Sequence, residues 1–549
     1  MAQLVLGPLL RYVGEREAVI WVETDEACEV EVLGHRERTF RVHGHDYCLV
    51  VIDGLEPGRE YEYEVALDGE RRWPEPDSEF PPSVIRTVNG DEPLRLSFGS
   101  CRVSLPAHPP YTLPKDVHSD GREFDALRTL AHEMRDGARE RWPHALLLLG
   151  DQVYADEVSL ETRAFIRKRR DISNPPGEEV ADFEEYARLY QESWADPAIR
   201  WLYSTVSCSM VIDDHDVHDD WNISAAWVDE MAEHEWWAVR ETAAIASYWL
   251  YQYIGNLSPG RLRESRLLEE VRSAEDGWRV LERFAEKERF RRDGERWSYC
   301  RDFGGTRLIV IESRCGRVLE EGRRSILDEE EWDWLRDHLS GDYEHVLIGS
   351  SDPLLLAPGL HWVEHWGEAI AGGAWGPRGA RLGERLRRTL DLDHWAAFGD
   401  SFERMMGLLA DCGAGRLGAA PAAVTMLSGD VHHAYLAEVA FPRSAGVKSH
   451  VWQAVCSPFR NALNRHERFI VHAGNTRAGA LLGRGLAQLA GVAREPVRWR
   501  LVEGPFYDNQ VATLELEGPR ARVRLERTVG EPEEDQRRLH TSFDRPLTG

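Results

Sequence analysis

Four short stretches carry the residues that could do chemistry. Cys101 follows L-R-L-S-F-G-S, and Asp151 and Tyr154 follow the unbroken apolar run A-L-L-L-L-G. Asp213-Asp214-His215-Asp216 ends the run C-S-M-V-I, and Asp430 with His432 follows A-V-T-M-L-S-G. Together they offer thiolate, phenolate, carboxylate and imidazole, a donor set suited to two unlike cations. A softer or redox-capable ion fits Cys101 and Tyr154, and a harder one fits the carboxylates. Two such ions about 3.5–4 Å apart clamp the attacking and leaving oxygens of an in-line displacement at phosphorus. Each cluster alone also reads as a buried thiol, a core ring, a turn former or a surface imidazole. Their recurrence at successive strand ends favours metal binding.

The elements that must position these side chains are strands buried on both faces, read from short apolar runs that stop at turn residues. In open α/β sheets the ligand crevice lies beyond the carboxyl ends of such strands. His345–Asp352 has the same form. Phe124, Leu127, Leu130, Ala131 and Met134 have helical spacing, and residues 225–295 read as mainly helical. Phe303-Gly-Gly reads as the turn of a hairpin, and closing strands are expected near 451–456, 510–516 and 521–525. Residues 1–90 instead alternate apolar and polar positions between frequent turns, the pattern of a small fibronectin- or immunoglobulin-like β-sandwich. The expected organisation is thus an all-β domain over 1–90, an α/β domain with helical insertions over 91–530, and a polar tail over 531–549.

Composition narrows the function. The formal charge of −28 argues against binding a phosphate backbone, so no nucleic-acid partner is expected. Lysine occurs only at 115, 168, 287 and 448, leaving arginine as nearly all the positive charge. Arg102 and Arg314, both at strand ends, are the candidates to hold an anionic substrate. The cysteines include no C-x-x-C pair and do not suggest a disulfide framework. The first residues lack a basic region and a cleavage pattern, and no apolar run reaches membrane-spanning length, so a cytoplasmic enzyme without a membrane partner is expected.

F-G-S-C (98–101), G-D-Q-V-Y (150–154), D-D-H-D (213–216) and S-G-D-V-H (428–432) resemble, in order and spacing, the PhoD-like alkaline phosphatases of the calcineurin-like metallophosphoesterase superfamily. The resemblance extends over about residues 5–460 and implies an αββα metallophosphoesterase sandwich with a mixed Fe3+–Ca2+ centre. Cys101 and Tyr154 would hold the iron, Asp151 would bridge the metals, and Asp214 would face the second ion where the superfamily usually has asparagine. Asp430 and His432 match the final ligand motif, and His215 matches the histidine that can protonate the leaving oxygen. The implied reaction is hydrolysis of a small-molecule phosphate monoester or diester, with a hydroxide made available by the cations attacking in line. Secreted members carry a twin-arginine export signal that this N-terminus lacks, and Asp219 and Asp220 stand where asparagines are common.

His361-Trp-Val-Glu-His365 also fits H-x-x-E-H, the inverted zinc-protease motif, which needs a further acidic ligand downstream on another helix. Its better expectation is an aromatic-lined wall of the phosphatase cleft. A non-catalytic adhesion module on a metal-binding domain is the remaining alternative, and complete ligand types at all the strand ends argue against it.

Overall fold

Two sheets stacked face to face position every strand end named above. They are seen in a computed structural model that describes residues 1–549 apart from 91, 290–294, 494, 496 and 531–537. The first sheet has six strands, ordered Ser207–Val211, Ala145–Leu149, Leu94–Gly99, Gln510–Glu517, Arg520–Val529 and Arg538–Pro546. Its first three strands run parallel. The second has seven: Tyr299–Phe303, Thr306–Ile311, His345–Ser350, Ala423–Ser428, His450–Val455, Ala434–Ala440 and Arg498–Phe506. Thr306–Ile311, His345–Ser350, Ala423–Ser428 and His450–Val455 form its parallel centre.

Period-two alternation explains the layers. In the fully buried strand Ala145–Leu149, Leu147 and Leu149 join Phe98, Leu347 and Leu427 in the core between the sheets. Leu146 and Leu148 point the other way, into a layer with Leu127, Ile199 and Leu202 from the covering helices. Each of these leucines contributes on the order of 1.5–3 kcal/mol by leaving water. On the far side, Val346, Ile348 and Met426 pack under Trp332, Met405 and Leu409. The result is the expected αββα sandwich.

The N-terminal domain is a four-on-four antiparallel sandwich, with Leu10, Ile20, Val50, Val30 and Val65 between its sheets. Ala18–Thr24, whose alternation suggests a half-buried strand, is buried at every position. The reason is that Val19, Trp21, Tyr47 and Leu49 on its sheet's outer face pack on the α/β domain, where Trp21 meets Trp194 and Tyr251. Arg11, also fully buried, donates hydrogen bonds to the carbonyls of Tyr251 and Gln252 and fixes the two domains together.

The hairpin expected around Phe303-Gly-Gly forms, with Tyr299–Phe303 paired antiparallel to Thr306–Ile311, and the expected helical stretch holds helices from Ala225 to Glu288. Its end at 290–294 lies outside the described residues. The polar tail is corrected: 531–537 lie outside the described residues, but Arg538–Pro546 is an edge strand paired with Arg520–Val529. No helix among the described residues is long and apolar enough to cross a membrane.

Candidate metal centre

The strand ends converge through strained backbone. Cys101, Asp151, Asp430 and His432 all have positive φ, between 49° and 64°. This left-handed conformation is uncommon for non-glycine residues and clusters at functional sites. Gly150, at φ +102°, makes the turn before Asp151; a Cβ there would lie 2.6 Å from Cβ of Asp213. Asp216, last residue of D-D-H-D, fixes this loop to its neighbour: its carboxylate accepts from the amides of Gln152, Val153 and Asp213.

Two donor sets result, and Asp151 belongs to both. Donor atoms of Cys101, Asp151 and His432 lie within 4.8 Å of one another, as do those of Asp151, Asp213, Asp214 and Asp430. The Tyr154 hydroxyl donates to Asp151 Oδ2 at 3.0 Å, and Asn461 Nδ2 donates to the same hydroxyl at 3.4 Å. The Ser457 hydroxyl donates to Cys101 Sγ at 3.1 Å, while that thiol donates to the Asp430 carbonyl at 3.3 Å.

The electrostatics are those of a site short of positive charge. Asp151 Oδ1, Asp213 Oδ2 and Asp214 Oδ1 are buried without a hydrogen-bond partner, an arrangement that costs free energy unless a cation or proton satisfies them. Burial, reinforced by Asp214, Asp216 and Asp430, raises Asp151 well above the usual carboxylate range despite His215 nearby. Burial beside Asp151 likewise raises the Tyr154 phenol and the Cys101 thiol. Burial, together with the positive charge of His215, lowers His432 to about 3, so it is a neutral imidazole. Acidic groups that burial pushes toward their protonated forms, crowded beside a neutral imidazole, are ready to exchange protons for metal ions. The donor set therefore fits a binuclear metal centre.

His215 lies at the edge. Its Nδ1 sits 3.0 Å from both oxygens of Asp156, and its ring stacks on Tyr154 with centroids 4.5 Å apart. Asp219 donates its amide to Asp156 Oδ2, and Asp220 donates its amide to Asp214 Oδ2, so the segment after D-D-H-D closes against the site.

The structure thus brings together Cys101, Asp151, Tyr154, Asp214, His215, Asp430 and His432. It places the two arginines differently from the expected substrate contact. Arg102 is buried, with Nε donating to Asp125 Oδ2 at 2.7 Å and Nη1 to Ser193. Asp125 also caps the helix Ala126–Asp136, so this guanidinium holds scaffold. Arg314 is 1 % exposed and lies among Asp213 at 2.6 Å, Asp352 at 3.1 Å and Asp393. Carboxylates already surround it.

Asp213, Asp352, Asp393 and His394 are site-wall residues that sequence reasoning left unassigned. Asp213 sits within a recognised motif and Asp352 at a recognised strand end, so both had a positional signal. Asp393 and His394 come from the loop before the short turn Trp395–Ala397 and had none. His361 and His365 lie on the helix Pro358–Ala371, with His361 against Phe402 and Trp499. Glu364, between them, reaches the other way, to His394.

Comparison with known proteins follows the same division of the chain. Residues 1–85 match a domain family described only as of unknown function, DUF7800, and no curated protein matches the chain. Among solved structures, one described as the structure of PhoD is similar over 99 % of this chain and 92 % of its own, at 13 % identity and a TM-score of 0.59. That likeness concerns the fold. A purple acid phosphatase from yellow lupin (Lupinus luteus) aligns over 98 % of this chain and 73 % of its own at 12 % identity, with a TM-score of 0.49. The PhoD-like phosphatase model matches residues 123–479, a span that holds the strand-end carboxylates, His215, Asp430 and His432, and on that match the chain belongs to the PhoD-like phosphatase family.

Proposed function

We propose that this protein hydrolyses phosphate esters of small molecules at a binuclear centre, with Fe3+ and Ca2+ as the metal pair. The observation that carries the reading is the convergence of buried carboxylate oxygens without hydrogen-bond partners, from Asp151, Asp213 and Asp214, beside a thiol, a phenol and a neutral imidazole. Cys101, Tyr154 and His432 provide the softer donors for iron, Asp214 and Asp430 the harder ones for calcium, and Asp151 is shared. Bound cations supply Lewis acidity toward the phosphoryl oxygens and lower the pKa of water.

The chain's own residues supply the rest. Asp156 fixes the His215 ring through Nδ1 and leaves Nε2 to hold a proton toward a leaving oxygen. Asp213 carries a carboxylate oxygen toward the centre while Arg314 holds its other oxygen. Arg314 and Arg317 balance Asp213, Asp352 and Asp393. In this role they position the carboxylates.

Metal analysis and a visible spectrum of the purified protein test the proposal, alongside hydrolysis of p-nitrophenyl and bis-p-nitrophenyl phosphate. Iron with a charge-transfer band that disappears in Tyr154→Phe, and hydrolysis stimulated by calcium, are expected. The faster ester assigns the substrate class. Protein that hydrolyses neither ester with any cation supplied overturns the reading.

A further inference from the structure

The helix Pro358–Ala371 carries a second cluster of metal-type donors, on a different set of residues from the phosphatase centre. His361 and His365 are one helical turn apart, and Glu495, 130 positions downstream of His365, closes the set. Glu495 Oε1 lies 2.7 Å from His365 Nε2 and 3.6 Å from His361 Nε2. The donor atoms are all within 4.8 Å of one another. His361 is 0 % exposed, and neither of its ring nitrogens has a hydrogen-bond partner, while His365 Nε2 is paired with Glu495 Oε1. A neutral imidazole always carries one N–H, so a buried ring with both nitrogens unpaired leaves a donor and an acceptor unsatisfied. A bound cation removes that penalty.

The geometry points to a divalent transition-metal site of the zinc class, held by His361 Nε2, His365 Nε2 and Glu495 Oε1. Imidazole nitrogens with one carboxylate oxygen suit such an ion, and tetrahedral coordination sets donor–donor separations near about 3.3 Å. The two distances to Glu495 bracket that value. Phe402 and Trp499 pack against the His361 ring and set its orientation. His365 and Glu495 also line a cavity of about 480 Å³, with Arg324, Glu368 and Phe402 on its walls. A fourth coordination position on that side is open to water or a small ligand.

The site is not that of a peptidase. The motif's acidic residue, Glu364, is the base that peptide hydrolysis requires, and it is committed to His394 at 2.6 Å. The ion instead ties Glu495 to the helix whose other face holds His394 in place.

The test uses the full chain with the phosphatase centre disabled by Asp151→Asn and Asp430→Asn, stripped by a chelator and titrated with Zn2+ in equilibrium dialysis. One equivalent of Zn2+ is expected to bind in this background and to be lost when His361→Asn and His365→Asn are added. Co2+ in its place is expected to give the visible absorption of a four-coordinate N/O site. Glu495→Gln, alone in the otherwise unaltered chain, is expected to weaken one equivalent by at least about tenfold with the far-ultraviolet circular dichroism unchanged. That variant keeps the test decisive if the multiple substitution does not fold. Zn2+ stoichiometry and affinity that are the same with and without the histidine and glutamate substitutions would overturn the assignment, whatever the outcome for phosphate esters.

Discussion

His394 Nε2 lies 2.8 Å from Asp430 Oδ2, and its Nδ1 lies 2.6 Å from Glu364 Oε1. Burial alone would lower this imidazole, but Glu364 and Asp430 together raise it well above its ordinary value. The ring is a positioning residue: it fixes one oxygen of Asp430 and leaves the other toward the centre. His394→Ala is expected to weaken metal retention by about 10–100-fold, the usual cost of removing a partner behind a ligand. Competitive chelation followed by metal analysis measures it. Glu364→Gln should give a smaller effect in the same direction, and equal metal retention in all forms would remove the role.

Asp156 stands behind His215 as Glu364 stands behind His394. If His215 protonates the leaving oxygen, His215→Ala should lower kcat by about 10²–10⁴-fold on an alkyl phosphate ester. The loss should be much smaller on p-nitrophenyl esters, whose leaving group departs without a proton. Asp156→Asn should follow the same ordering with a smaller loss, because the ring remains but its orientation is no longer fixed by charge. Steady-state kinetics across a series of leaving groups decides the point. Losses independent of leaving-group pKa would assign His215 to substrate binding instead.

The layers and the convergence of Cys101, Asp151, Asp214 and Asp430 were legible because both follow from local patterns. A buried strand is written as an apolar run, and its carboxyl end is where the next polar residues must emerge. What stayed hidden depends on pairing between distant segments. A strand-end arginine looks the same in sequence whether it faces an anion or a ring of carboxylates. Arg314 meets Asp213, Asp352 and Asp393, which lie on three separate segments. His394 acts only because Glu364 and Asp430 flank it. The edge strand Arg538–Pro546 escaped because R-L-H-T-S-F-D-R-P, half-exposed at the sheet margin, has too few apolar residues to stand out from a tail.

Gly150 is a sharper test of the strand-end geometry than any ligand substitution. Its φ of +102° disfavours an L side chain, and a Cβ would lie 2.6 Å from Asp213 Cβ and 2.8 Å from its Oδ2. Asp213 cannot yield easily, since Arg314 holds it at 2.6 Å. The backbone conformation alone costs on the order of 1–3 kcal/mol for a non-glycine residue, and the contact adds to that. Gly150→Ala is therefore expected to lower the thermal midpoint and to lose metal together. A variant with wild-type melting behaviour and metal content would show that the two loops can separate without cost.

His45 links the β-sandwich to the α/β domain and makes that joint sensitive to alkaline pH. Its Nδ1 lies 3.0 Å from Glu23 Oε1, and its Nε2 lies 3.1 Å from Glu184 Oε2 on the helix Phe183–Trp194. Glu184 and then Glu23 raise the imidazole to about 10 against the opposing effect of burial. Because the folded value lies above the ordinary value of about 6.5, the folded state binds the extra proton. The stabilisation is complete below pH 6.5 and is lost as pH rises toward about 10. Glu184 is partly exposed, so solvent screens part of the effect. Thermal midpoints should therefore fall between pH 7 and pH 10 in the native chain. His45→Gln, which cannot be charged, should start lower at pH 7 and fall less across that interval. Parallel profiles for the two proteins would mean that the joint depends on its apolar contacts, chiefly Trp21 against Trp194 and Tyr251, and not on this proton.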